Sequence, residues 1–214
     1  MSDPAPLEDL LDPQPVVGSD VVYRGLVWDV RRDRVDLGAA GVVSRDVLDH
    51  PGAVGILVLD ADERVALVQQ YRHPIGLRDW EIPAGLTDIA GEPPLLAAQR
   101  ELAEEADLVA ARWDTLVDYF TSPGYTSEAL RIYLAREVTD VPAGDRHTRT
   151  GEELGMEVRW VPLDEAHEAI LDGRLHNPHT VVAILSAYAA RADGWSRLRP
   201  ADAPWPLWER LRPS

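Results

Sequence analysis

The chain contains no lysine: all of its basic residues are arginine. That excludes Schiff-base chemistry, attachment of pyridoxal phosphate and a Walker-type phosphate lysine. Any phosphate must be held by arginine, backbone N–H groups or metal. Cysteine is absent as well, which removes disulfides, thiolate nucleophiles and thiolate metal sites and suits a reducing compartment. No apolar run approaches the ~20 residues of a membrane span, and the start lacks a basic-then-apolar signal. The expectation is a cytoplasmic protein. Zinc-type spacing, internal repeats and a G-x-S-x-G elbow are missing too. Cationic charge is scarce: the formal net charge is −16, which argues against binding a nucleic-acid backbone. Anionic small molecules would need local arginine or metal.

What is present is 214 residues, 45% of them hydrophobic, enough for one large core or a domain with an accessory element. Residues 1–15 are proline-rich and acidic and read as a flexible tail. Residues 16–48 form a strand-rich arm, with a hairpin expected to turn near Arg32-Asp33. Within it, Trp28 is either a core or interface aromatic or a stacking platform for an adenine ring. Residues 49–198 carry the main pattern. The stretch 51–71 reads as a hairpin with its turn at Asp60–Glu63, and Ile56–Leu59 is apolar on both faces, like a buried central strand. A short strand around Trp80–Ile82 follows. Arg72 is either a surface ion-pair residue or a guanidinium clamp for a diphosphate.

The organising stretch runs from Trp80 to Leu108. Pro93 and Pro94 suit a helix first turn, and good helix formers follow. Leu95, Ala98, Leu102 and Ala106 fall at steps of three and four and form one apolar stripe. Glu101, Glu104 and Glu105 cluster at i, i+3 and i+4 on another face. Like charges so placed cost roughly 0.2–0.5 kcal/mol per pair on an exposed helix. Arg100 can neutralise at most one of them. A divalent cation neutralises two, and an oxygen-only donor set suits Mg²⁺ or Mn²⁺. The bland alternative is a solvated acidic face on an acidic protein.

Beyond the helix, Arg112–Phe120 and Leu130–Val138 read as strands around the loop Thr121–Glu128, with Pro123-Gly124 as a turn dipeptide. Residues 139–154 form a long polar loop ending near Glu152-Glu153. A strand at Met156–Val161 leads to a helix begun at Pro162. A second helix is capped by Asn177 with Pro178 at its first position. Residues 199–214 read as an irregular tail whose Trp205 and Trp208 pack on the body or on a partner subunit. The histidines His147, His167, His176 and His179 are scattered and form no ligand set.

Gly85, Glu92, Arg100, Glu101, Glu104 and Glu105, with apolar Leu102 and Leu108, closely resemble the Nudix box. Two positions depart from it. Six residues rather than five separate Gly85 from Glu92, and Asp107 stands where the pattern has glycine. Asp tolerates the left-handed conformation that ends such a helix better than most side chains.

The resemblance implies an α/β fold, a Nudix-like α/β/α sandwich with a mixed sheet and an N-terminal β-strand arm. It implies metal held by Glu101, Glu104, Glu105 and the Ala84 carbonyl, and a catalytic base in the 139–154 loop, Glu153 or Glu152. Arg100, within the box, joins that catalytic set. Pro123, fifteen residues past Leu108, the segment Ser122-Pro123-Gly124 and the lead-in Glu81–Gly85 resemble the ADP-ribose pyrophosphatase branch. That branch implies Mg²⁺-dependent hydrolysis of ADP-ribose, or a related nucleoside-diphosphate sugar, to AMP and ribose 5-phosphate. Substrate contacts would come from Trp28, Arg31, Arg72, Glu81, Pro123 and Gly124. The arm at 16–48 would serve dimerisation, giving a homodimer with a small-molecule substrate and no nucleic-acid or membrane partner. The alternative is a non-hydrolytic sensor of nucleotide sugars on the same fold.

Overall fold

The computed structural model describes residues 6–26, 28–149 and 155–211. The chain divides into two compact units: Met1–Asp49 with Gly124–Thr126, and His50–Pro123 with Ser127–Ser214.

The first unit is a three-stranded antiparallel sheet of β1 (Val16–Arg24), β2 (Asp29–Asp36) and β3 (Val42–Leu48), in that order. The first hairpin does not turn near Arg32-Asp33. Both lie inside β2, and the chain reverses at 25–28, where the Gly25 N–H donates to the Trp28 carbonyl at 3.1 Å. A Cβ on Gly25 would lie 2.2 Å from that carbonyl oxygen, so only glycine closes this reversal. Arg32 instead makes a two-pronged ion pair across the ladder with Asp46, at 2.6 and 2.9 Å. Charged residues that look turn-forming in sequence are cross-strand partners here.

The second unit holds two sheets. One has the order β11-β8-β9-β4-β7 and the other β10-β5-β6. Their strands are β4 (Ala53–Val58), β5 (Arg64–Arg72), β6 (Leu77–Glu81), β7 (Ala84–Leu86), β8 (Leu108–Phe120), β9 (Ala129–Asp140), β10 (Glu157–Pro162) and β11 (Arg199–Pro200). β4 runs parallel to β9, and the other pairings are antiparallel. Among the described residues four α-helices accompany them: α1 (Pro94–Ala106), α2 (Leu163–Leu171), α3 (Pro178–Ala192) and α4 (Pro206–Leu211).

β4 is buried along its whole length. Val54, Ile56 and Val58 pack with Ala98 and Leu102 of α1 on one side. Leu57 packs with Leu163 of α2 and Ile184 of α3 on the other. Burial on both faces explains its unbroken apolar sequence. It also corrects the expected 51–71 hairpin. β4 and β5 follow one another through the Asp60–Glu63 turn but enter different sheets, with a single bridge, Leu59↔Val65, in place of a ladder between them among the described residues. β4 takes β9 and β7 as its neighbours, leaving no ladder for β5.

α1 buries the stripe its spacing predicts, with Ala98, Leu102 and Ala106 in the core and Leu95 against it. It ends at Asp107, which is left-handed at φ 55°, ψ 34°. The C-terminal segment is more ordered than an irregular tail. β11 pairs with β8, and α4 brings Trp208 onto Trp205, both buried in this unit with their rings stacked 5.0 Å apart. Proline before and within the segment hides the short helix, because Pro206 sits at its first position, where proline fits.

Candidate active site

The acidic half of α1 lies against β7. The Glu105 Oε2 accepts a hydrogen bond from the Ala84 N–H at 2.9 Å, and Glu105 is almost completely buried. Glu101 lies across Gly85. A Cβ there would stand 2.0 Å from the Glu101 carboxyl carbon and 2.2 Å from one of its oxygens. Any other residue at 85 would displace that carboxylate. Gly85 is therefore required by a close approach of side chain to backbone, since its φ is not positive. β7 is in turn fixed by pairing Val54↔Gly85 and Gly55↔Ala84 on β4.

Arg100 is the countercharge. It donates to both oxygens of Glu92 (3.2 and 3.0 Å), to Glu101 Oε1 (2.6 Å) and, at 3.4 Å, to Glu104 Oε2. Its hydrogen bonds to Glu92, aided by the Glu101 charge, push the Arg100 pKa further above the usual guanidinium value despite partial burial. Arg100 thus ties the loop residue Glu92 to the helix acids. Among the described residues no group of three or more His, Cys, Asp or Glu stands in metal-holding geometry; Arg100 links these carboxylates instead. The donor set still fits a hard divalent cation. It consists only of carboxylate oxygens on adjacent turns, beside a glycine with room for the side chain on the partly buried strand β7.

The end of α1 is closed by a residue that sequence reasoning passed over. Arg149 donates to the Glu105 carbonyl (2.8 Å), to the Glu104 carbonyl (3.3 Å) and to the Asp107 carboxylate (2.8 Å). α1 has no basic residue in its last turn. A loop arginine supplies the cation its carbonyls favour, and that deficit was the available sequence signal. Glu152 and Glu153 lie outside the described residues.

Arg72 and Glu81 face each other across β5 and β6. The guanidinium donates through Nε and Nη2 to the two Glu81 oxygens, both at 2.6 Å, and the Glu81 side chain is buried. Arg72 thus makes an ion pair with a buried carboxylate that belongs to the same proposed set.

A second polar cluster was not foreseen. Glu128 accepts from the Thr121 hydroxyl at 2.5 Å and lies 3.2 Å from His50 Nε2. The Tyr119 hydroxyl is 2.6 Å from His179 Nδ1. Burial lowers the pKa of both histidines, against the raising effect of Glu128. Burial, reinforced by Glu128, raises that of Tyr119. His50 and Glu128 are far apart in sequence, so no local pattern announced the pair. Pro123 and Gly124 form the turn between β8 and β9, and a Cβ on Gly124 would meet nothing within 4 Å.

In the first unit, the Arg31 guanidinium pairs with Asp33 at 2.9 Å and with Asp49. Trp28 is half-buried. Ala84, Gly85, Glu92, Arg100, Glu101, Glu104 and Glu105 are thus brought together; Arg72 and Glu81 form a neighbouring pair; Trp28 and Arg31 belong to the other unit.

Residues 49–182 match the NUDIX domain family, more than half of the chain. The chain is 40% identical over 189 residues to an ADP-ribose pyrophosphatase of Mycobacterium tuberculosis (strain ATCC 25618 / H37Rv), covering 88% of this chain and 89% of that protein. It is 29% identical to a methanol dehydrogenase activator of Bacillus methanolicus, over 78% and 89% of the two chains. A crystal structure of an ADP compounds hydrolase superposes with a TM-score of 0.72 at 18% identity, covering 89% of this chain and 100% of that one, a likeness of fold. The acidic α1, its glycine-lined strand and these matches agree: the chain belongs to the NUDIX domain family.

Proposed function

We propose that this chain hydrolyses the pyrophosphate of ADP-ribose, or a related nucleoside-diphosphate sugar, to AMP and ribose 5-phosphate. The observation that carries this reading is the pair of close approaches on β7, Glu101 over Gly85 and Glu105 on the Ala84 N–H. They hold two carboxylates against the backbone of β7, an oxygen-rich arrangement that suits a hard cation. The substrate class is supported by the 40% identical ADP-ribose pyrophosphatase.

Glu101, Glu104, Glu105 and the Ala84 carbonyl would hold Mg²⁺ or Mn²⁺. Such an ion supplies charge neutralisation on the diphosphate and lowers the pKa of water. Arg100 keeps Glu92, Glu101 and Glu104 in register. Glu153 or Glu152 accepts the proton of the attacking water, whose oxygen forms the new bond to phosphorus as the P–O bond of the anhydride breaks. Arg72, its fork oriented by Glu81, binds phosphate oxygens. Arg31 contributes a second cation, Trp28 stacks the adenine, and Pro123-Gly124 shapes the turn beside the substrate. Residues 16–48 serve as a dimerisation arm in a cytoplasmic homodimer. Among the described residues no helix is long and apolar enough to cross a membrane.

A panel of ADP-ribose, NADH, ADP-glucose, diadenosine polyphosphates and 8-oxo-dGTP, with Mg²⁺ and phosphatase-coupled phosphate release, tests this reading. ADP-ribose should turn over fastest. Equilibrium binding of ADP-ribose without AMP formation would replace hydrolysis with the sensor alternative.

A further inference from the structure

β7 is an unusual place to build a site. It has three residues, lies at the edge of its sheet and pairs on one side only, with β4. A short edge strand has few ladder bonds to fix it, yet it carries the Ala84 N–H that Glu105 grips and the Gly85 that Glu101 crosses. Its ends must be pinned by something else. At the front end, the Ile56 N–H donates to the Pro83 carbonyl at 2.8 Å. At the back end the restraint comes from Thr87, which follows β7 directly. Its N–H donates to the Gly52 carbonyl (3.1 Å) and its hydroxyl to the Pro51 carbonyl (2.9 Å).

The Pro51 carbonyl has a second donor, and it comes from the far end of the chain. Trp208 Nε1 donates to it at 3.2 Å. Gly52 is left-handed at φ 91°, and a Cβ there would stand 2.5 Å from Trp208 Nε1 and 3.0 Å from the Thr87 hydroxyl. The indole and the Thr87 side chain thus both bear on the 51–52 corner. The indole is itself anchored in steps. It stacks on Trp205 with planes 10° apart. The Arg131 guanidinium covers Trp205 at 4.8 Å and donates to the Ala203 and Pro204 carbonyls (2.6 and 3.2 Å). Arg131 is buried in β9 and locked on Asp118 by two bonds of 2.7 and 2.9 Å. A continuous set of contacts therefore joins β9 to Arg131, Trp205, Trp208, Pro51, Thr87 and β7.

We infer that Trp208 is a positioning residue: it clamps the 51–52 corner and thereby sets β7 at the depth where Ala84 and Gly85 receive Glu105 and Glu101. A merely structural Trp208 would stabilise the fold without affecting the acidic cluster. The clamp makes a different demand, because loosening it detaches Thr87 and lets an edge strand shift under two carboxylates. The inference rests on the proposed metal-binding reading for its functional meaning, but its mechanical part stands on these contacts alone.

The test uses Trp208→Phe, which keeps an aromatic ring on Trp205 and removes the indole N–H, and Thr87→Val, which removes the hydroxyl bond to the Pro51 carbonyl. Amide hydrogen exchange is measured on metal-free protein, and Mn²⁺ binding is titrated directly. Both variants should speed exchange at Thr87 and Ala84 and weaken Mn²⁺ binding by about 10-fold, the usual consequence of losing an outer support of a metal site. Ile184→Val, in the core on the other side of β4, should lower the melting temperature while leaving both readouts unchanged. Trp208→Phe and Thr87→Val proteins that exchange Ala84 and bind Mn²⁺ like the parent, whatever their melting temperatures, would overturn the inference. If the parent itself binds no Mn²⁺, the metal reading fails, and exchange at Ala84 alone decides whether the clamp exists.

Discussion

α1 and α3 pack on opposite sides of β4 and begin alike, with proline at the first position, but they treat their termini in opposite ways. α3 follows the rules of helix stability. Asn177 Oδ1 accepts from the His179 and Thr180 N–H groups at 3.0 and 3.1 Å, and Arg191 stands in its last turn. α1 breaks them. Its N-cap residue, Pro93, offers no side-chain hydrogen bond; its last turn has no base, and Glu101, Glu104 and Glu105 crowd the end where the helix dipole is negative. A misplaced charge in the last turn, such as Glu104, costs about 0.3–1 kcal/mol. Arg100 from within and Arg149 from a loop offset part of that. A helix that stores unfavourable charge at a defined point, beside a glycine that admits one of its carboxylates, suits the proposed cation site. Its neighbour is organised for stability.

The largest expected effect separates the two helices by function. Glu101→Gln and Glu105→Gln should each lower Mg²⁺-dependent hydrolysis of ADP-ribose by about 10³-fold, the loss of about 4 kcal/mol of charge stabilisation. Steady-state kinetics reads this directly. Gly85→Ala should follow, because its methyl group enters the space of the Glu101 carboxylate. Mn²⁺ affinity, measured by titration, should fall about 10–100-fold.

The pH response belongs to α3. His179 faces the Tyr119 hydroxyl and feels Glu128, Arg72, His50 and Asp79, and burial lowers its pKa below the ordinary 6.5. The neutral ring is the form the fold prefers. The stability it contributes is complete above pH 6.5 and drains away as pH falls toward the depressed folded value. His50 acts in the same direction. Denaturant melts between pH 7 and 5 should show this loss, and His179→Gln should flatten it.

Asn177→Ala should cost about 1 kcal/mol of stability with kcat unchanged, measured by chemical denaturation alongside turnover. Smallest of all, Glu104→Gln should raise the stability of metal-free protein by about 0.3–1 kcal/mol, since it removes one charge from the wrong end of a dipole. An equal change in α3 has no such gain to make.

Local chemistry made much of this legible in sequence. The α1 stripe, the left-handed Asp107, the Asn177 cap and the doubly buried β4 each follow from residues within a few positions of one another. What was hidden depends on distant partners. Short apolar runs around a polar turn mark β4 and β5 as strands but cannot say that they join different sheets, because β4 is claimed by β9 from far along the chain. Arg32 and Asp33 resemble a turn until Asp46 is placed opposite Arg32. The Glu128–His50 pair, Arg149 at the end of α1 and Trp208 on Pro51 all join residues far apart in the chain, with strands or helices between them. At the site, the acids were legible, whereas the reason Gly85 must be glycine appeared only when Glu101 was seen lying on it.

Calorimetric titration of Mn²⁺ into the parent protein and into Glu105→Gln tests the central claim most directly. Saturable binding by the parent that is lost in the variant, with the variant still folded, is the result expected. Equal binding by both proteins would contradict the assignment of the α1 carboxylates as the metal-holding group.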